Sequence, residues 1–213
     1  AEKTCFGSKS TWCTGRFSPM SKAHRTRLRF RRTTICAVLA WVFLATGCAR
    51  TTEIRYYQLD MTPSGTVETP TSIEVDRLTV ADDLARRDIL VQKDPTEIEY
   101  YADAQWAVSV PELVRRKLEA EFGRRAAGQP AIVLDGEIQA FQQVDVPNGA
   151  EARVTLHLRF QKEHEVVFRN TYTKQVPAES PTPKAVAQAL SRALEQIAAD
   201  IAADAAKIGD VTK

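Results

Sequence analysis

Ala152-Arg153-Val154-Thr155-Leu156-His157-Leu158-Arg159-Phe160-Gln161 alternates five apolar side chains with five polar or basic ones without a break. A period of two sends Ala152, Val154, Leu156, Leu158 and Phe160 to one face of a strand and the other five residues to the opposite face. The reading extends in both directions. Lys162-Glu163-His164 supplies a turn and residues 165–176 a returning strand, while residues 131–144 are strand-like upstream, with Gly136 as a candidate bulge. After the returning strand, Ser180-Pro181-Thr182-Pro183 opens a long helix with the apolar stripe Val186, Leu190, Leu194, Ile197, Ile201 and Ile208. Its alanines leave a thin face suited to close packing on a sheet.

The first half follows the same rules with weaker signals. Residues 54–60 are aromatic and apolar enough for a strand, ended by Thr62-Pro63-Ser64-Gly65. Ser72 to Val80 alternates, but the pair Leu78/Val80 is displaced by one from Ile73/Val75, which predicts a bulge near Arg77. A short turn over 81–87 precedes the strand 89–92, and Lys93-Asp94-Pro95 joins it to 97–101 as a hairpin. Ser109-Val110-Pro111-Glu112 has the form of a capping box, and the helix it opens runs to Phe122, stopped by Gly123. Val110, Leu113, Val114, Leu118 and Phe122 are expected inward, with Arg115, Arg116 and Lys117 outward. The order β-β-β-β-α-β-β-β-α with hairpins predicts an α+β fold: one domain, a mostly antiparallel sheet of six to seven strands, and two helices covering it.

The N-terminal region reads differently. Residues 35–45 are mostly apolar, follow an Arg-rich stretch and lead to Thr46-Gly47-Cys48, the pattern of a bacterial lipoprotein signal. The run falls short of the roughly 20 apolar residues that a membrane span requires. A membrane anchor, or an ordinary signal peptide with a chance cysteine, is the competing reading. On the lipoprotein reading residues 1–47 are removed, Cys48 carries an acyl lipid, residues 48–53 are a tether and 54–213 form the periplasmic domain. A start at Met20 would give a conventional signal and leave 1–19 as upstream sequence. Ala49 in place of an aspartate favours transfer to the outer membrane over retention at the inner one.

Removal of the signal changes the charge balance. Nine of the 29 Lys and Arg, but only Glu2 of the 27 Asp and Glu, precede Cys48, so residues 48–213 hold 20 basic against 26 acidic side chains, a balance of −6. Such a balance speaks against nucleic acid as a partner. Cys5, Cys13 and Cys36 leave with the signal, and a disulfide or thiolate metal site is not expected. Nucleophile, zinc and phosphate-loop motifs are missing. His157 on a polar strand face and His164 in a turn read as solvated, and Asp82, Asp83 and Asp88 as turn and cap residues. The expectation is therefore a non-enzyme with no metal and no cofactor beyond the lipid on Cys48.

An aromatic set remains: Tyr56, Tyr57, Tyr100, Tyr101 and Trp106. With its neighbours it forms four pieces in order: Tyr56-Tyr57-Gln58-Leu59, Leu84-Ala85-Arg86-Arg87-Asp88-Ile89-Leu90-Val91, Glu97-Ile98-Glu99-Tyr100-Tyr101 and Gln105-Trp106-Ala107. In these the chain resembles the PqiC-like auxiliary lipoproteins of ABC-type transporters, which are associated with MCE-type lipid transport. It departs from their pattern at Gln105 and at Gln92-Lys93, where arginine is common. The resemblance implies an outer-membrane lipoprotein that docks an MCE-domain protein and, through it, an ABC permease and ATPase. The five aromatics would be partner-binding residues, Trp106 being equally suited to a core anchor, and further copies of the chain are possible partners. The alternative is a stand-alone periplasmic lipoprotein, serving as an envelope assembly factor or a lipid-binding carrier.

Overall fold

In chain order the elements are β1 (Arg55–Tyr57), β2 (Ser72–Val80), a 3-10 turn (Asp82–Leu84), β3 (Asp88–Gln92), β4 (Ile98–Trp106), α1 (Val110–Phe122), β5 (Ala131–Val146), β6 (Gly149–Lys162), β7 (Glu165–Ala178) and α2 (Pro183–Asp210). This is the order expected from sequence. The computed structural model describes residues 53–65, 72–123 and 131–210, all within the unit Thr52–Lys213. The signal segment 1–47, Cys48 and most of the tether lie outside the described residues.

Seven strands form one sheet in the order β1-β4-β3-β5-β6-β7, with β2 also paired to β5. The sheet is mixed, which corrects the expectation of a mostly antiparallel one. The pairs β3/β4, β5/β6 and β6/β7, consecutive in the chain, are antiparallel, whereas β1/β4, β2/β5 and β3/β5 are parallel. Each antiparallel pair is closed by a short connection, and each parallel pair joins strands that other elements separate in sequence. β5 accommodates two neighbours on one edge, with β2 along Ala131–Ile138 and β3 at Gln143–Val144. The 3-10 turn between them is held by the Ala81 amide, which donates to the Ile138 carbonyl at 3.2 Å.

The alternation in β6 translates directly into packing. Val154, Leu156, Leu158 and Phe160 are fully buried, while Arg153, Thr155 and His157 stay partly exposed and Arg159 exposed. Each large apolar side chain taken out of water contributes about 1.5–3 kcal/mol. α2 packs on β6 and β7 with its stripe buried from Val186 to Ile201 and with Ala189, Ala193 and Ala198 fully covered; α1 packs on β2 and α2. The bulge expected near Arg77 lies between Val75 and Leu78. Gly136 faces that bulge from β5, but its more stringent role is close approach: a Cβ there would meet the His157 carbonyl oxygen at 2.1 Å.

Two boundaries move, for local reasons. β1 ends at Tyr57 because the chain turns toward α2, where the Asp60 amide donates to the Ser191 hydroxyl at 3.0 Å. β4 continues to Trp106 because β1 pairs along Ala104–Trp106 and the Trp106 amide donates to the Arg87 carbonyl at 2.7 Å.

Helix α1 requires two corrections. Ser109 is its N-cap residue but makes no side-chain cap bond; Glu112 is instead taken by Arg115 and Arg116, with Arg115 Nη2 at 2.8 Å and Arg116 Nε at 2.6 Å from Oε1. Lys117, expected outward, is fully buried. Its three protons go to Glu121 (2.7 Å), Glu195 (2.9 Å) and the Thr62 carbonyl (2.9 Å). Glu121 also accepts from the Ser64 amide at 3.0 Å and hydroxyl at 2.6 Å. The cluster ties α1, α2 and the segment after β1 together.

At the β6–β7 turn Glu163 and His164 have φ of 52° and 71°. Two positive values in a two-residue hairpin suit Asn-Gly far better than Glu-His. Combining Glu163→Asn with His164→Gly is expected to raise the unfolding free energy by about 1 kcal/mol, as measured by urea denaturation.

Candidate functional site

β1 and β4 bring the first and last aromatic pieces together. Their parallel register pairs Tyr56 with Gln105 and Tyr57 with Trp106, so Tyr57 and Trp106 share one face and Tyr56 and Gln105 the other. The two faces have different fates. Trp106 is 1% exposed and packs on Phe141 with ring centroids 5.4 Å apart, while Tyr57 is partly covered by the same core. Tyr56 is 60% exposed on the edge strand. Of the two roles open to Trp106, the fold gives it the core anchor.

Arginines of the second piece hold this edge. The Arg87 guanidinium lies 5.7 Å from the centroid of the Tyr56 ring and donates to the carbonyls of Trp106 (3.1 Å) and Ala107 (2.5 Å). Arg86 stands 4.8 Å over the Tyr100 ring and pairs with Asp88 at 3.4 Å. Cation–π contacts at exposed sites contribute about 0.5–1 kcal/mol each, so this layer orients side chains more than it stabilises the fold. Gln105 donates to Asp88 at 2.8 Å, and that carboxylate in turn pairs with Arg86. Tyr100 donates its hydroxyl to the Asp83 carbonyl at 3.0 Å.

Tyr101 sits apart from this strip. Its hydroxyl donates to Gln143 Oε1 at 2.7 Å, with the Pro181 carbonyl 3.3 Å away. Burial lifts this phenol above its ordinary pKa, and it stays protonated. Gln92 accepts from Gln142 (2.8 Å) and Arg153 (3.0 Å), so a guanidinium reaches this point from β6. His157 Nδ1 and the Thr171 hydroxyl are hydrogen-bonded at 2.9 Å.

The five sequence-selected aromatics thus divide: Tyr56 projects from the exposed edge, Tyr100 is half-buried against the core beneath Arg86, Tyr57 and Trp106 belong to the core, and Tyr101 to a separate polar contact. Arg86 and Arg87 were missed as candidates. Their signal was the adjacency of two cations to a strand that pairs with the aromatic one. Among the described residues β1 is paired on one side only, so the arrangement offers a strand edge, a projecting tyrosine and two oriented guanidiniums, the chemistry of protein recognition. Among the described residues no helix is long and apolar enough to cross a membrane.

Comparisons with known proteins agree with this architecture. A Xanthomonas campestris protein of the DUF330 family, solved by crystallography, is similar at 20% identity and a TM-score of 0.60 over 75% of this chain and 98% of its own. The crystal structure of an uncharacterized protein is similar at 15% identity and a TM-score of 0.58, covering 71% of this chain and 98% of that one. Both likenesses bear on the fold alone. No curated protein matches the chain. The family described as the ABC-type transport auxiliary lipoprotein component matches residues 57–202, from the second tyrosine of β1 almost to the end of α2. The chain therefore belongs to the auxiliary lipoprotein family of ABC-type transport systems.

Proposed function

We propose that this protein is a non-enzymatic outer-membrane lipoprotein subunit of an ABC/MCE-type intermembrane lipid transport system, docking the periplasmic bridge. Residues 1–47 are removed, the thiol of Cys48 carries the acyl lipid, 48–53 form the tether and 54–213 the docking domain. The observation that carries the reading is the β1 edge: the first strand after the anchor exposes Tyr56 beside Arg87, on a chain whose family is defined as an auxiliary transport component. Anchoring confines this edge to one membrane surface and raises its effective concentration for an MCE-domain protein that reaches across from the permease and ATPase. A net charge of −6 over residues 48–213 makes nucleic acid an unfavourable partner.

A photoreactive residue at position 56, activated in intact cells, is expected to capture an MCE-domain protein. The same residue at position 106, buried in the fold, is expected to capture nothing. Tyr56→Ala should lower crosslinking from neighbouring positions while leaving stability within about 0.5 kcal/mol. Recovery of the uncrosslinked protein alone from position 56 would reject the docking role. Co-purified phospholipid in native mass spectra, beyond the protein's own acyl chains, would favour a lipid carrier instead.

A further inference from the structure

The sheet face opposite the apolar side chains of β6 carries a second array. Two rows of register partners cross it: Asp135, Arg159 and Arg169 from β5, β6 and β7, and Thr79, Glu137, His157 and Thr171 from β2, β5, β6 and β7. Arg77 joins them from the bulge of β2. Arg77, Thr79, Asp135, Gly136, Glu137, His157, Arg159 and Arg169 line an open depression of about 500 Å³.

Its electrostatics are unbalanced in a particular way. Asp135 is committed to Arg159, which donates to it from both Nε (3.1 Å) and Nη2. Arg169 stands directly across from Arg159 in the ladder, and like charges in that position destabilise a sheet. Among the described residues neither Arg77 nor Arg169 has a carboxylate within salt-bridge distance. Against the three guanidiniums stand Asp135 and Glu137, which leaves this lining positive on a domain that is negative overall. Gly136 puts no side chain into the space, and His157 is fixed through Nδ1 by Thr171.

The geometry points to a binding site for a phosphate group, carried by a lipid headgroup or free in solution. Guanidiniums present paired donors that match phosphate oxygens, and an anion beside Arg169 meets a guanidinium that no carboxylate among the described residues holds, across from one already paired with Asp135. Arg77 closes the third side.

The test uses the full lipidated chain in non-ionic detergent, titrated by calorimetry with inorganic phosphate and, separately, with dihexanoyl-phosphatidylglycerol. At least one is expected to bind, and combining Arg77→Gln with Arg169→Gln should weaken it about tenfold or more, while the exposed control Lys184→Gln leaves it unchanged. Equal binding of both probes assigns the site to free phosphate; binding of the lipid alone assigns it to a headgroup. A thermal melt guards against misfolding: the ligand should raise the melting temperature of the parent and not of the double variant. Failure of both probes to bind, or equal loss in Lys184→Gln, overturns the site.

Discussion

Exchanging Lys117 for methionine is expected to lower the unfolding free energy by about 3–5 kcal/mol, the cost of leaving a buried charge without its partner. Lys117 and the Glu121 side chain are fully buried, and all three ammonium protons are used. Burial opposes both charges, yet the bonds outweigh it: those to Glu121 and Glu195 hold the Lys117 ammonium above its ordinary pKa, and those from Lys117 and Ser64 hold the Glu121 carboxyl below its own. The sign of each contribution follows. The share of Glu121 is complete above its ordinary value of 4.5 and is lost as the pH falls through its lowered one; the share of Lys117 is complete below 10.5 and is lost as the pH rises through its raised one. In the methionine variant burial acts on Glu121 with less to oppose it, so the deficit should be largest near neutrality and narrow toward pH 4. Urea denaturation across that range is the measurement. Replacing Lys117 and Glu121 together with methionine and leucine should recover more than half of the loss, since an apolar pair of similar volume removes the unpaired charge. A single-variant deficit below about 1 kcal/mol would mean that water reaches the cluster.

Trp106→Ala should cost a similar amount, about 3–5 kcal/mol. The side chain is 1% exposed against Phe141, at the junction of β1, β3 and β4. A cavity there has little freedom to collapse, because the Trp106 backbone is held from both sides: its amide by the Arg87 carbonyl and its carbonyl by the Arg87 side chain. Trp106→Phe should recover about half of the loss by refilling much of the volume. Loss of partner capture in Trp106→Ala at full folding stability would place the indole in the interface after all.

The two cases mark what could and could not be read in advance. Elements governed by local periodicity were legible: the ten-residue alternation of β6, the displaced apolar pair that became the β2 bulge, the stripe of α2 and the stop at Gly123. Strand direction was not, because period-two alternation is the same in parallel and antiparallel sheets. The three parallel pairs depend on connections that no local pattern encodes. Lys117 illustrates a different failure. Positions 110, 113, 114, 117, 118 and 121 keep helical spacing, so Lys117 and Glu121 lay on the inward stripe, and their charges hid the periodicity that placed them there. The aromatic edge was half legible. The tyrosines were visible as a set, but their division between core and surface depended on the β1/β4 register, and the arginines beside them come from the bend that precedes β3.

That register has a mechanical consequence. β1 is joined to the sheet by three residues in parallel with Ala104–Trp106, so a pull along its axis strains the rungs together, whereas a pull across it opens them one at a time. A few residues later the chain is clamped again where Lys117 and Glu121 grip Thr62 and Ser64. Tension delivered along the N-terminal segment therefore meets two fastenings in series, the three-residue ladder at the edge of the sheet and then the buried ionic knot that joins the chain to the two helices.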